Sequence, residues 1–186
     1  MKIAIIGSSG MLGKIVFNYF LMFAKDIQLI IPTRYNSDKK NEFISSLEKA
    51  DFVINCAGSI PQKTPASRSI NTKLNYFKIN YLLPELLIEN NFKVIHPCTD
   101  CVYKGTPHLA PYGLDSTYDS DDLYGQSKAF LYSRNSYRNN IDLIKVIRSS
   151  IIASDKSDKS LYSWTLSRIK SSNLILGYIN HFWNGI

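Results

Sequence analysis

Three glycines, Gly7, Gly10 and Gly13, follow directly after an apolar run at residues 3–6. The run predicts a buried strand, and the apolar residues beyond Gly10 recur at the spacing of a helix. A strand that turns into a helix through such glycines lets the backbone approach a phosphate group at the positive end of the helix. This feature predicts an α/β fold with a nucleotide site at the first turn.

Strand-like and helix-like segments alternate along the chain. The predicted strands are residues 2–6, 27–32, 52–55, 92–98, 141–152 and 174–178, and the predicted helices are residues 12–23, 40–49, 70–89, 123–137 and 161–170. Pro84 implies a kink or two abutting helices within the third helical segment. The alternation predicts a doubly wound parallel sheet with helices on both faces. With 45% apolar residues, the chain is expected to form one domain over residues 1–186, without a complete second domain.

The charge of the chain is mildly basic, with 22 Lys and Arg against 15 Asp and Glu, a net charge of +7. These residues are scattered, which favours a solvated surface over a nucleic-acid interface, although anionic nucleotides would be attracted to it. No apolar stretch approaches the length of about 20 residues that spans a membrane, and the first strand leaves no room for a secretory leader. We therefore expect a cytoplasmic protein without membrane insertion.

The three cysteines, Cys56, Cys98 and Cys101, cannot all form disulfides with one another. The spacing of Cys98 and Cys101 is that of a redox or half-zinc motif, but no second pair of Cys or His at metal-ligand spacing accompanies it. Reduced thiols and no bound metal are the simplest expectation.

Tyr124 and Lys128 lie one helical turn apart in a predicted helix. A Tyr hydroxyl can give a proton to a carbonyl that is being reduced if its pKa falls from about 10 towards neutrality. A Lys on the same helical face supplies positive charge that would lower this pKa. The spacing alone is unspecific, since Tyr35 and Lys39 form a second such pair without supporting context.

Five further segments occur in an order that resembles the extended branch of the short-chain dehydrogenase/reductase family. They are Asn55-Cys56-Ala57-Gly58, Asn80 with Pro84, Cys98-Thr99-Asp100-Cys101-Val102-Tyr103, Asp122-Leu123-Tyr124-Gly125-Gln126-Ser127-Lys128, and Arg148-Ser149-Ser150. The third and fourth are similar to segments of the reductases that act on dTDP-4-dehydrorhamnose and related nucleotide sugars. The resemblance implies a Rossmann-like fold that lacks the C-terminal substrate portion of those enzymes.

The resemblance also implies roles for individual residues. The catalytic residues would be Thr99, Tyr124 and Lys128, and the substrate would contact Thr99, Asp100 and Tyr124. The cofactor would contact Gly7, Ser9, Gly10, Met11, Leu12, Gly13, Arg34, Asn55, Cys56, Ala57, Gly58, Asn80, Tyr124 and Lys128. Asn80 could instead satisfy backbone groups freed at the helix kink. Because the predicted second strand ends in Pro32-Thr33-Arg34 without an acid, NADP is favoured, with NAD possible.

The function implied by this resemblance is NAD(P)H-dependent reduction of a 4-keto nucleotide sugar in deoxysugar or surface polysaccharide biosynthesis. Two alternatives remain open: a nucleotide-sugar epimerase or dehydratase, and a non-catalytic NADP-binding regulatory or remnant protein. A homodimer through the central helices is a further implication of the family.

Overall fold

A computed structural model describes residues 1–60, 70–106, 111–113, 115–149 and 161–171 of the chain. Its strands are β1 (Lys2–Ile6), β2 (Gln28–Ile30), β3 (Phe52–Asn55), β4 (Val94–Thr99) and β5 (Ile144–Ser149). They form one sheet in the order β2-β1-β3-β4-β5, and every neighbouring pair is parallel. The predicted parallel sheet is therefore confirmed. The predicted strand at residues 174–178 and Ser150 lie outside the described residues, as do parts of the connections after β3 and β4.

Helices connect the strands. They are α1 (Met11–Phe23), α2 (Lys40–Ser45), α3 (Ile70–Phe77), α4 (Leu83–Glu89), α5 (Leu123–Ala129), α6 (Asn135–Asn139) and α7 (Leu161–Lys170). Short 3₁₀ segments lie at Ser37–Lys39, Asp100–Val102 and Phe130–Ser133, and a π-helical segment, Lys78–Leu82, joins α3 to α4. The helix predicted at residues 161–170 has these same bounds.

Both faces of the sheet are covered by helices, as the doubly wound pattern predicts. On one face, Phe43 of α2 and Leu87 of α4 are buried in a cluster with residues of β1, β3, β4 and β5. On the other face, Phe17 and Phe20 of α1 pack against the buried Ile5 of β1. The strands alternate between these clusters because successive side chains of a strand point to opposite faces.

The order of the strands reverses between β1 and β3, which lie side by side in the sheet. In sheets of this kind, ligands bind at the carboxyl ends of the strands where the order reverses. The glycine turn follows β1, and the segment from Asn55 to Gly58 ends β3 and follows it. The topology therefore brings two of the predicted cofactor segments to one crevice.

The single helix predicted for residues 123–137 is wrong. The helical segments end at Ser133, Arg134 adopts an extended conformation (φ −85°, ψ 144°), and α6 begins at Asn135. The physical reason is tertiary: the buried carboxylate of Glu85 accepts hydrogen bonds from Arg134 Nε at 3.3 Å and from Ser136 Oγ at 2.9 Å. These contacts offset the loss of local helix hydrogen bonds.

The interruption predicted near Pro84 takes the form of the π-helical segment. The backbone N–H of Leu83 donates to the carbonyl oxygen of Lys78, five residues earlier. The extra residue in this turn accommodates Pro84, whose ring excludes a regular α-helical path and which has no N–H to donate. It also places Asn80 in the interior of the protein, where its side chain is fully buried.

Packing of α4 is expected to dominate stability. Leu87 is 0% exposed, so Leu87→Ala should lower the free energy of unfolding by about 2–5 kcal/mol through lost burial and a residual cavity. Leu21 is 56% exposed, and Leu21→Ala should change it by less than about 0.5 kcal/mol. Urea unfolding followed by circular dichroism measures both. Similar losses in the two variants would contradict the packing described for α4.

Candidate active site

The glycine turn after β1 forms a tight backbone cradle. Gly7 has a φ of +74°, and a Cβ added to it would lie 2.8 Å from the backbone nitrogen of Ala57. A Cβ on Gly13 would overlap the carbonyl of Gly7. The amide of Gly10 closes the turn by donating to the oxygen of Gly7 at 2.9 Å. Only glycine fits at positions 7 and 13, because α1 and β3 approach this turn at backbone distance.

The amino end of α1 presents its backbone N–H groups without a side-chain cap. Gly10 occupies the N-cap position, where it makes no side-chain hydrogen bond, and no acidic residue lies in the first turn. The unpaired N–H groups and the helix dipole favour an anion at such an end. The cradle is therefore the part of the molecule that fits the phosphates of a nucleotide.

The turn after β3 is held by buried polar side chains. Asn55 Oδ1 accepts from the amide of Ala57 at 3.3 Å, and Asn55 Nδ2 lies 3.4 Å from His96 Nδ1. His96 is fully buried, and burial, reinforced by the charge of Lys128, holds its pKa well below the usual value of 6.5. Its Nε2 atom has no hydrogen-bond partner in the described parts of the chain. His96 is therefore neutral at physiological pH, and its ring lies against the side-chain amide of Asn55.

Asn80 connects three elements at the centre of the site. Its Oδ1 accepts from the amide of Ser59 at 2.9 Å, and its Nδ2 donates to the oxygen of Ser59 and to Ser127 Oγ, each at 2.9 Å. Ser127 Oγ in turn donates to the oxygen of Tyr124 at 2.7 Å. The side chain of Asn80 thus joins the turn after β3 to α5. These bonds go to Ser59 and Ser127 and not to backbone groups freed at the helix kink. Its direct contact with a cofactor stays a prediction.

Helix α5 is placed against the end of β4 by a close backbone approach. A Cβ on Gly125 would overlap the carbonyl oxygen of Cys101. The amino end of α5 is capped by Asp122, whose Oδ1 accepts from the amide of Gly125 at 2.9 Å. This approach brings Tyr124 next to Thr99, whose hydroxyl group acts to lower the pKa of Tyr124.

The pKa of Tyr124 is raised above its ordinary value of 10, in the direction opposite to that expected from the sequence. Burial is the main cause, the neighbouring Cys101 adds to it, and the hydroxyl group of Thr99 acts against it. The protein's own groups therefore keep Tyr124 protonated at neutral pH.

Lys128 is a buried cation beside the turn after β3. It is 5% exposed, its Nζ donates to the oxygen of Pro97 at 3.4 Å, and burial lowers its pKa. A Cβ on Gly58 would lie 3.9 Å from this Nζ. Within the described residues, no carboxylate lies in ion-pair distance of Lys128. Its ammonium group therefore retains donor capacity at the point where the turn after β3 meets α5.

The remaining predicted residues lie around this centre. Met11 and Leu12 are half-buried at the start of α1, and Ser9 is exposed beside them. Burial raises the pKa of the Cys56 thiol to about 12, so this thiol is a packing group. Asp100 follows Thr99 and accepts a hydrogen bond from its hydroxyl at 3.3 Å.

Arg34 is the predicted cofactor residue that the structure places farthest along the sheet from α5. It follows β2, the strand at the edge of the sheet, and it is exposed. Thr33, directly before it, is tied to α2 through a hydrogen bond from its amide to Ser46 Oγ at 3.2 Å. A contact between Arg34 and a cofactor stays a prediction.

Several residues of the site were missed by sequence reasoning. They are Ser59, His96 and Ser127, together with Gly125 as a point of close approach. Ser127 and Gly125 lie inside the segment from Asp122 to Lys128, so a close reading of that motif could have found them. The partners of Ser59 and His96 are 21 and 41 residues away along the chain, and no local pattern signals such pairs.

No family model matches the sequence, and no curated protein matches it. Solved structures share its fold, at identities below 25%. A dTDP-4-dehydrorhamnose reductase from Clostridium acetobutylicum matches at 22% identity and a TM-score of 0.72, over 92% of this chain and 60% of its own. A dTDP-glucose 4,6-dehydratase from Bacillus anthracis, in complex with NAD, matches at 14% identity and a TM-score of 0.71, over 92% of this chain and 62% of its own.

A dTDP-4-dehydrorhamnose reductase from Bacillus anthracis, in complex with NADP, matches at 16% identity and a TM-score of 0.69, over 91% of this chain and 60% of its own. The chain thus spans about 60% of the length of these structures. The likeness establishes a Rossmann-like fold. The predicted resemblance to nucleotide-sugar enzymes is confirmed at the level of the fold.

No cluster of three or more His, Cys, Asp or Glu side chains within the described residues is arranged to hold a metal ion. No helix among them is long and apolar enough to cross a membrane.

His96 should make the stability of the protein depend on pH. The unfolded state binds a proton near pH 6.5, whereas folded His96 stays neutral, so stability should fall as the pH drops below about 6.5. The contribution of this residue reaches at most about 1.4 kcal/mol per pH unit. Urea unfolding from pH 7.5 to 5.0 measures the slope, which His96→Asn should make shallower. An unchanged slope in the variant would show that His96 is protonated in the folded state.

Proposed function

We propose that this chain is an NADP-dependent reductase of the extended short-chain dehydrogenase/reductase type, with a 4-keto nucleotide sugar as its substrate. The observation that carries the proposal is the assembly of Thr99, Tyr124 and Lys128 at the edge of the sheet that also holds the glycine cradle. The fold shared with dTDP-4-dehydrorhamnose reductases supports it. We also propose a cytoplasmic location and a role in deoxysugar or surface polysaccharide synthesis.

The residues of the site fit a dinucleotide cofactor. The cradle of Gly7, Gly10 and Gly13 would hold its phosphates, and Lys128, whose ammonium group lacks a carboxylate partner in the described structure, would donate to a ribose hydroxyl. When bound, the reduced nicotinamide supplies a hydride to the carbonyl carbon of the substrate.

The proton for the reduced carbonyl oxygen would come from Tyr124. Its hydroxyl group is protonated at neutral pH, which is the form that donates, although burial raises its pKa and makes the proton harder to release. Thr99, which lies next to Tyr124, would orient the carbonyl oxygen towards it. Hydride on carbon and proton on oxygen together convert the ketone to an alcohol.

Two other functions stay as alternatives. An epimerase or dehydratase of this fold would return the hydride to its substrate, so it would consume no net NADPH. A non-catalytic binding protein would hold the cofactor without turnover. Net NADPH oxidation with a dTDP-4-keto-6-deoxy sugar therefore separates the reductase from both alternatives.

Tyr124→Phe should lower turnover by about 10²–10⁴-fold, because it removes the proton donor. The dissociation constant for NADPH should change by less than about twofold, since the phosphates bind elsewhere. Loss of NADPH absorbance measures turnover, and a fluorescence titration measures binding. Tyr19→Phe is a matched control, because Tyr19 is 58% exposed on α1, and it should leave both quantities unchanged.

Two outcomes would contradict the reductase proposal. Turnover retained by Tyr124→Phe would remove Tyr124 from the chemistry. Tight NADPH binding by the unmodified chain without turnover of keto sugars would favour the non-catalytic alternative.

Arg34 is proposed to select NADP over NAD by pairing with the 2′-phosphate. Arg34→Ala should weaken NADPH binding by about tenfold or more and leave NADH binding unchanged, because a hydrogen bond to a charged group is lost. Calorimetric titration with both cofactors measures the two affinities. Lys25→Ala, which removes an exposed cation beyond the far end of α1, is the control. Equal weakening for both cofactors would assign Arg34 a role other than selectivity.

A further inference from the structure

Arg148 lies near the carboxyl end of β5 and is bound by two tyrosines. Its Nη1 donates to Tyr103 Oη at 2.8 Å, and its Nη2 donates to Tyr118 Oη at 2.9 Å. The guanidinium carbon also lies 5.3 Å from the ring centroid of each tyrosine. No carboxylate within the described part of the chain forms an ion pair with Arg148. The half-buried guanidinium group of Arg148 therefore binds the rings and hydroxyl groups of two tyrosines in place of a carboxylate.

The two tyrosines belong to the connection between β4 and α5. Tyr103 stacks on Tyr112, with ring centroids 4.4 Å apart and an interplanar angle of 13°, and donates to the oxygen of Gly113 at 3.2 Å. Tyr118 packs against the buried Tyr132, with centroids 5.0 Å apart. Arg148 is thus the point at which the described beginning and end of this connection are fastened to the sheet.

The end of the connection determines where α5 begins. The amide of Ser120 donates to the oxygen of Val102 at 3.2 Å, and Ser120 Oγ donates to Asp122 Oδ2 at 2.9 Å. Asp122 then caps α5 through the amide of Gly125. Tyr124 lies in the chain between Asp122, the capping residue, and Gly125, whose amide Asp122 binds. A shift of residues 118–122 would therefore move Tyr124.

We propose that Arg148 is a positioning residue for Tyr124, acting through Tyr103 and Tyr118 on the segment that caps α5. The kinetic part of this inference rests on the proposed function, whereas the positioning itself does not. The rings of Tyr103 and Tyr118 could pack within the connection without Arg148. The two guanidinium donors of Arg148 additionally fix both tyrosine hydroxyl groups relative to β5. A lysine has a single donor group and cannot reproduce this fork.

Hydrogen exchange tests the positioning without any activity. In Arg148→Met, and in Tyr103→Phe combined with Tyr118→Phe, the amides of Gly125 and Gln126 should exchange about fivefold faster, as expected when a helix cap is weakened. The amides of β1 and β3 should keep their protection. Arg138→Met, which removes an exposed arginine of α6, is the matched control and should change neither region.

Two results would overturn the proposal. Unchanged exchange at Gly125 and Gln126 in Arg148→Met would show that the arginine does not act on α5. An equal increase in the exchange rates of amides in β1, β3 and α5 would show that Arg148 supports the whole fold and has no specific role in positioning.

Kinetics provide a second test. Arg148→Met should lower kcat by about tenfold or more, because a small displacement of a proton donor is costly, with the dissociation constant for NADPH within about twofold. Adding the two Tyr→Phe changes should cause no further loss in kcat, since both hydrogen bonds of the tyrosines to Arg148 are already lost in Arg148→Met. Weaker NADPH binding with an unchanged kcat, or a fully additive loss, would contradict the proposal. If the unmodified chain shows no turnover, the proposed function fails, and the exchange experiment still decides the role of Arg148.

Discussion

The close approach of three backbones at one edge of the sheet is the constraint on which the candidate site depends. Gly7 lies against the backbone of Ala57, and Gly13 lies against the carbonyl of Gly7. Any side chain at position 7 or 13 would push β3 or α1 away from β1. Because β1 and β3 are the strands between which the order reverses, the same contacts that close the core also shape the crevice.

Behind this edge, the buried polar groups depend on one another. Burying the ammonium group of Lys128 costs several kcal/mol of lost hydration, and the long hydrogen bond to Pro97 offsets only part of it. A second buried charge on His96 would repel it, which is one reason that the pKa of His96 is held low. Asn80 binds the adjoining turn and α5 without adding charge. Within the described residues, neutral polar groups thus accompany the Lys128 cation, whose remaining donors suit an oxygen-rich ligand.

The sheet and the glycine turn could be predicted from the sequence because their signals are local. Apolar runs mark the parallel strands, and the spacing of Gly7, Gly10 and Gly13 marks the turn after the first of them. The break at Arg134 could not be predicted in this way, because it depends on Glu85, 49 residues earlier along the chain. The same holds for the bonds of Arg148 to Tyr103 and Tyr118, which span 45 and 30 residues. Local propensity predicts the secondary structure of such segments correctly only where no contact with a residue distant in the sequence overrides it.

The proposed proton transfer depends on the electrostatics of Tyr124. In a reduction the tyrosine holds its proton until the carbonyl oxygen becomes negative, and a raised pKa makes that proton harder to release. Burial and the neighbouring thiol of Cys101 raise this pKa, so the chain by itself favours the donor form. Thr99 acts in the opposite direction, because its hydroxyl stabilises the phenolate left after the proton has moved. The same pair of residues would therefore keep the proton in place before the transfer and make its loss less costly during it.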